Sequence, residues 1–329
     1  MKKIFLMSYL SLAMTIASVA QNENYKAEIA AGYKGSVIND LKTLDKSLGF
    51  CVIGDWGRYG SVHQKAVAEQ LGSAMVGIDG SFILSTGDNF YPNGVASEFD
   101  PIFKYSFEDV YTSFPTHNDW YVSLGNHDYR TNPDAEVAYT KISARWKMPS
   151  RYFNFKKRID KDTAQYVEFF VIDTTPFQKD YYTNEGYAAH VKGVDTLAQK
   201  KWLESKLKNS KATWKIVVGH HPLYSAGGRK GKTQDMEKAF KNIFEKYKID
   251  AYLCGHEHHL EYDAPSDVHF VQFISGSGSE ATAVTDAPFA KFVKQDYGIL
   301  AVNVTAKEML FQFVNAEGKV LYTTSLQKK

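Results

Sequence analysis

Short apolar runs recur along the chain, and most of them stop at a glycine. Residues 50–53, 82–85, 120–124, 214–218 and 251–254 are such runs, long enough for a buried strand and too short for a helix. Between the first two, Val62, Ala66, Val67 and Leu71 fall at helical spacing, predicting an amphipathic helix over 62–75. A second helix is predicted over 195–207, with Asp195 as its cap and Leu197, Trp202, Leu203 and Leu207 as its apolar stripe. A third covers 235–247, and an aromatic-rich one lies within 99–107. Residues 152–155 and 166–172 read as strands joined through a polar turn, 156–163. Residues 181–194 show no period and read as a loop, and 21–47 as a peripheral lead-in. Beyond 269 the chain is strand-rich, with runs at 269–274, 298–304, 309–314 and 320–323 and a turn at 315–318.

Alternation of strand and helix in the first half predicts parallel strands with crossover helices, whereas the tail predicts an antiparallel meander. Two mixed sheets packed face to face, with helices on the outer sides, accommodate both. No internal repeat or Pro/Ser-rich linker interrupts the pattern, so one catalytic domain is expected over 21–329.

Residues 1–20 stand apart. Lys2 and Lys3 precede an apolar run, and Ser18-Val19-Ala20 forms a small-residue cleavage site, the pattern of a secretory signal peptide of bacterial type. The alternative, an uncleaved anchor, needs a longer apolar span. A periplasmic or secreted protein is therefore expected, with no membrane span in the mature chain. Removing the leader's two lysines leaves 37 basic residues against 37 acidic ones. That balance argues against a nucleic-acid-binding protein, which carries a basic excess. The two cysteines, Cys51 and Cys254, rule out a disulfide scaffold. They read as buried thiols, or as a bridge if their strands adjoin.

Chemistry concentrates where the apolar runs end, which in α/β sheets is where sites gather. Each run gives way to a glycine and a residue type able to bind metal: Asp55, Asp88, Asn126, His220, then His256 and His258. In an extended segment the last two would share one face. Oxygen donors followed by imidazoles suit a pair of first-row transition metals better than calcium or magnesium.

The blocks GDWG (54–57), GDNFY (87–91), GNHDY (125–129), GHHP (219–222) and GHEHHLEY (255–262) resemble those of the calcineurin-like metallophosphoesterases. GDNFY and the overall length are similar to the purple acid phosphatase branch, in its small tartrate-resistant form. The resemblance implies a four-layer αββα sandwich. It implies two metal ions, with Asp55, Asp88, Tyr91 and His258 holding the first, Asn126, His220 and His256 completing the second, and Asp88 bridging. The first is implied to be Fe(III), whose bond to the Tyr91 phenolate gives the family its colour; the second is Fe, Zn or Mn. The implied reaction is hydrolysis of phosphate monoesters by direct attack of a metal-bound hydroxide, with His127 facing the phosphate as proton donor to the leaving group.

Two features depart from the family pattern. His221 stands where relatives often carry an aromatic residue, and the basic loop 226–232 replaces an acidic or histidine-bearing segment. His221 and Arg229 are therefore candidate substrate-binding residues, with Lys230 and Lys232 beside them. Competing readings are a phosphodiesterase or nucleotidase on the same site, an iron redox protein, and a silent binding module. The full donor set disfavours the last. Phosphate esters are the expected partners, and the sequence leaves the oligomeric state open.

Overall fold

The computed structural model describes residues 22–161 and 164–328; the leader read at 1–20 lies outside them. Strand β1 (Leu48–Ile53) is the buried centre of the first sheet. It pairs in parallel with β2 (Gly80–Ser85), which pairs with β3 (Asp119–Val122) and then β4 (Trp146–Lys147). On its other side β1 pairs antiparallel with β12 (Gly298–Val304), so Val52 sits between Leu84 and Leu300. Strands β13 (Glu308–Asn315) and β14 (Val320–Gln327) complete the sheet as an antiparallel meander.

The second sheet runs β11-β9-β10-β8-β7-β6-β5. Its parallel core is β6 (Tyr166–Val171), β7 (Trp214–Val218), β8 (Ala251–Cys254) and β10 (Val271–Ser275). Antiparallel β5 (Phe153–Arg158) closes one edge, and β9 (Leu260–Asp263) with β11 (Ala290–Lys294) the other. The two sheets meet through aromatic rings. Phe169 contacts Phe50 and Phe82 with centroids 5.4 Å apart, Phe155 stacks on Tyr121 at 3.6 Å, and Phe273 on Phe311 at 4.1 Å. Such ring pairs add to the plain burial of apolar area.

Helices cover the outer faces. Helix α2 (Gln64–Gly77) lies on β1, β2, β12 and β13 of the first sheet. Helix α1 (Glu23–Ala30), in the lead-in, packs on α2, and the buried Tyr25 donates to the Ser73 carbonyl at 2.7 Å. On the second sheet, Phe170, Val217 and Tyr252 form a core with Leu203 and Leu207 of α5 (Thr196–Asn209) and Phe244 of α7 (Asn242–Tyr247). The expected αββα sandwich is thus present.

Several local expectations need correcting. Lys156–Arg158 belong to β5 rather than to a turn; Lys157 lies over the rings of Phe82 and Tyr121, so its stem is packed rather than solvated. Asp195 caps α5 as predicted, accepting from the Ala198 amide at 2.9 Å, but Leu197 projects into solvent. Residues 181–194 are not a plain loop: they complete a 3₁₀ turn (Lys179–Tyr182) and form α4 (Glu185–Val191). Strand β9, a four-residue run directly after the histidine motif, and β11, whose residues do not alternate strictly, escaped the pattern reading. Cys51 and Cys254 are buried free thiols in different sheets.

Candidate metal centre

The parallel strands of both sheets end at one rim, and each expected site residue follows such an end. Asp55 follows β1, Asp88 follows β2, Asn126 follows β3, His220 follows β7, and His256 and His258 follow β8. Three of them turn the backbone into the left-handed region: φ is 59° at Asp55, 50° at Asp88 and 70° at His256. Side chains other than glycine adopt this region at a cost, and such residues cluster at functional sites. Neighbouring glycines make room. A Cβ on Gly125 would lie 2.3 Å from Asp88 Oδ1, and one on Gly255 2.4 Å from Asp55 Oδ2.

The seven residues form two groups sharing Asp88. In the first, the Tyr91 hydroxyl lies 3.0 Å from Asp55 Oδ1, 3.0 Å from Asp88 Oδ2 and 3.1 Å from His258 Nε2. In the second, His220 Nε2 lies 3.2 Å from Asn126 Oδ1, 3.2 Å from His256 Nδ1 and 3.4 Å from Asp88 Oδ1. Ligands set at right angles around an ion, each about 2.1 Å away, stand about 3 Å apart. Both groups have that spacing, so the donor set fits two ions. His256 and His258 line one cavity, as strand alternation suggested. The turn at His256 sends them to different groups.

Surrounding bonds orient the donors. His220 Nδ1 donates to the Thr86 carbonyl at 2.8 Å, which leaves Nε2 as the free lone pair. Asn126 Nδ2 donates to the Tyr187 hydroxyl at 3.1 Å, which turns Oδ1 toward His220. In this proton-bound form, burial pushes the Tyr91 phenol up, and Asp55 and Asp88 push it further. Burial also pushes Asp88 up, but the facing His220 outweighs it and holds the carboxylate below its usual range. His220 itself is depressed by burial and raised by Asp88, with a net rise to about 9. Cations held by the same groups replace these protons and invert that logic.

A family model described as calcineurin-like phosphoesterase matches residues 48–260. Purple acid phosphatase 17 of Arabidopsis thaliana is 38% identical over 84% of this chain and 84% of its own length. Tartrate-resistant acid phosphatase type 5 of Oryctolagus cuniculus is 31% identical over 86% of this chain and 92% of its own. The chain belongs to the purple acid phosphatases. Among solved structures, the Plasmodium protein GAP50, described as the anchor in the inner membrane complex, shares the fold. Its TM-score is 0.75 at 23% identity, over 86% of this chain and 89% of that one.

Behind the purple acid phosphatase site, a buried carboxylate ties two motif loops together. Asp128 accepts from the amides of Gly125 (2.8 Å), Asn89 (2.9 Å) and Phe90 (3.1 Å). Asn89 Nδ2 bridges to Glu136 at 2.9 Å, and Ser85 links the same network to Trp56 Nε1. Burial raises Asp128 to about 7 and drives Glu136 well above the usual carboxylate range, with Asp128 adding to the latter.

His127 sits over the Tyr91 ring, with centroids 4.3 Å apart. Its Nδ1 donates to the Pro92 carbonyl at 2.6 Å, so Nε2 faces the cavity, 4.0 Å from Asp88 Oδ2. Burial pushes its pKa down, and Asp88 resists the fall. The basic loop 226–232 reaches the site through Arg229. Its backbone is pinned by the buried Glu257, which accepts from the amides of Gly228 and Arg229, and by Glu261, which accepts from Ala226. Arg229 Nε lies 3.1 Å from His256 Nε2, whereas Lys230 turns away to Thr285 and Asp286. His221 is buried, with both ring nitrogens engaged by Thr174 and Tyr181, so its imidazole has none left for a substrate.

Sequence reasoning missed Arg58, Thr174, Tyr181, Tyr187 and Glu280. Arg58 covers the Tyr91 ring with Cζ 3.8 Å from its centroid, and is paired with Glu280 and bonded to Ser279. Only the Asp173-Thr174-Thr175-Pro176 strand end carried a signal, as one more polar junction after an apolar run.

Proposed function

We propose that the protein is an exported acid phosphatase that hydrolyses phosphate monoesters at a dinuclear metal site. The observation that carries this is the division of seven side chains into two groups, each with the spacing of ligands around one ion, joined by Asp88. Asp55, Asp88, Tyr91 and His258 hold the first ion, Fe(III) in this reading. Asp88, Asn126, His220 and His256 hold the second, which is Fe, Zn or Mn. Ions held by these residues would supply Lewis-acid chemistry, polarising the phosphoryl group and lowering the pKa of water. Export rests on the leader pattern of residues 1–20.

The chain's own groups then act on the substrate. Arg229, fixed through its backbone by Glu257, presents a planar cation to the phosphate beside His256. His127 has its Nδ1 proton committed to Pro92, so it is as the imidazolium, protonated from mildly acid solvent, that its Nε2 delivers a proton to the departing alkoxide. No side chain attacks phosphorus, so no phosphoenzyme forms.

Two experiments test these assignments. The purified protein is expected to show a visible charge-transfer band, lost in Tyr91→Phe while the fold persists. Absorption spectra with metal analysis of both proteins check it. A colourless wild type carrying two Zn or Mn ions would remove the iron and bring diester and nucleotide substrates forward. His127→Ala is expected to keep the metals and to lower kcat about 10²–10³-fold for alkyl phosphates, but far less for 4-nitrophenyl phosphate, whose leaving group needs no proton. Equal losses for both substrates would refute the donor role.

A further inference from the structure

The side chain of Tyr181 lies on a 3₁₀ turn outside every motif, yet it lines the cavity of about 610 Å³ that also contains Asp88, Asn126, His127 and His256. The direction of its hydroxyl follows from counting lone pairs behind it. Thr174 Oγ1 accepts from the amide of His220 at 3.3 Å and from that of His221 at 3.1 Å. A hydroxyl oxygen has two acceptor lone pairs, and both are taken. Its single proton therefore goes to the remaining polar neighbour, His221 Nδ1, at 2.8 Å. With Nδ1 accepting, the neutral imidazole carries its proton on Nε2, which points at the Tyr181 hydroxyl 3.1 Å away. Tyr181 oxygen accepts that bond and keeps its own proton free to donate.

The ring is fixed as well. Tyr181 stacks on Tyr187 with centroids 4.3 Å apart. The Tyr187 hydroxyl is in turn held by Asn126 Nδ2 at 3.1 Å and Arg130 Nε at 2.8 Å. The phenol thus reaches the cavity with its oxygen oriented from behind and its plane set from the side. Burial keeps it protonated.

We propose that Tyr181 is a substrate-binding residue, whose hydroxyl donates a hydrogen bond to a phosphoryl oxygen of the bound ester. His221 and Thr174 are positioning residues that point this donor into the cavity. The proposal rests on the phosphatase reading of the site and explains why a histidine follows His220. Its Nδ1 can accept from Thr174 while Nε2 donates to Tyr181, a relay no hydrocarbon ring supplies. A donor held ready for developing phosphoryl charge needs no reorganisation during the reaction.

The test uses the metal-loaded protein and two variants. Tyr181→Phe keeps the stacked ring and removes only the hydroxyl. It is expected to lower kcat/KM for 4-nitrophenyl phosphate about 10–100-fold and to weaken competitive inhibition by inorganic phosphate about as much, with metal content and visible spectrum unchanged. Thr174→Val removes the donor to His221 and is expected to lose less. The double variant is expected to fall no further than Tyr181→Phe alone, because both act through one hydroxyl. Wild-type turnover and phosphate inhibition in Tyr181→Phe would overturn the binding role. Additive losses in the double variant would reduce Thr174 to a structural part. A wild-type protein that hydrolyses no phosphate monoester would sink the reading of the whole site, and this proposal with it.

Discussion

Asp88→Ala is expected to abolish hydrolysis, with kcat/KM down about 10³–10⁴-fold or more, and to leave a folded protein that no longer holds two metals. Asp88 touches both donor groups: Oδ2 reaches the Tyr91 hydroxyl at 3.0 Å, and Oδ1 reaches His220 Nε2 at 3.4 Å. Oδ1 also accepts the His127 amide at 2.6 Å, so the carboxylate positions that residue as well. Without it, ions held by the two groups would lose the negative charge they share, and the second group would offer only neutral donors. Lewis-acid activation contributes several kcal/mol to the barrier, and each 1.36 kcal/mol is a factor of ten in rate. Metal analysis, circular dichroism and turnover on one preparation check this. Two ions per chain with turnover within tenfold of wild type would show that Asp88 does not bridge.

Asp128→Ala is expected to cost about 3–5 kcal/mol, because a buried donor left without its acceptor costs about 1–3 kcal/mol and several are orphaned together. Asp128 receives three backbone amides from two motif loops, and alanine leaves all three buried without an acceptor. For a chain of this size, a loss of that magnitude lowers the melting temperature by roughly 10 °C. The sign of the pH dependence is fixed by the raised pKa values. Asp128, at about 7, and Glu136, higher still, bind protons more tightly folded than unfolded. Their contribution is therefore full below the ordinary carboxylate range and is lost as pH climbs through the folded-state values. The penalty of Asp128→Ala is accordingly larger at about pH 5 than at about pH 8. Thermal unfolding at both pH values checks it. A shift of only one or two degrees would mean that the loops do not depend on this carboxylate.

Much of the site was legible because its residues sit at fixed offsets from apolar runs that end in glycine. Asp55, Asp88, Asn126, His220, His256 and His258 come together because parallel strands in two sheets end on one rim, a consequence of strand direction that sequence carries well. Pairing of the central strands was legible for the same reason. Arg58, Tyr181 and Glu280 were not. Each reaches the site from a segment without periodicity, and what brings it there is a tertiary contact: Arg58 on the Tyr91 ring, Tyr181 on His221, Glu280 on His258 Nδ1 at 3.4 Å. At the basic loop the anchoring was not legible, because buried Glu257 and Glu261 hold it through backbone amides that no side-chain pattern reveals. Composition misled outright at Lys156–Arg158, where strand pairing and aromatic faces hold a run of charges that reads as a turn.

The place of β12 beside β1 has a consequence for how the chain comes to be folded. Val52 pairs with Leu300, a partner distant in sequence, and β12 to β14 lie beyond the segment shared with the wider family. During synthesis, β1 and β2 can find each other early, but one edge of β1 stays open until the last strands have left the ribosome. An open edge on an apolar strand invites pairing with other chains, and contacts this distant in sequence form slowly. Nascent chains that stop short of residue 298 therefore present a sticky, half-built sheet. The closing act of folding belongs to β12, β13 and β14, which contribute none of the seven donor side chains described above.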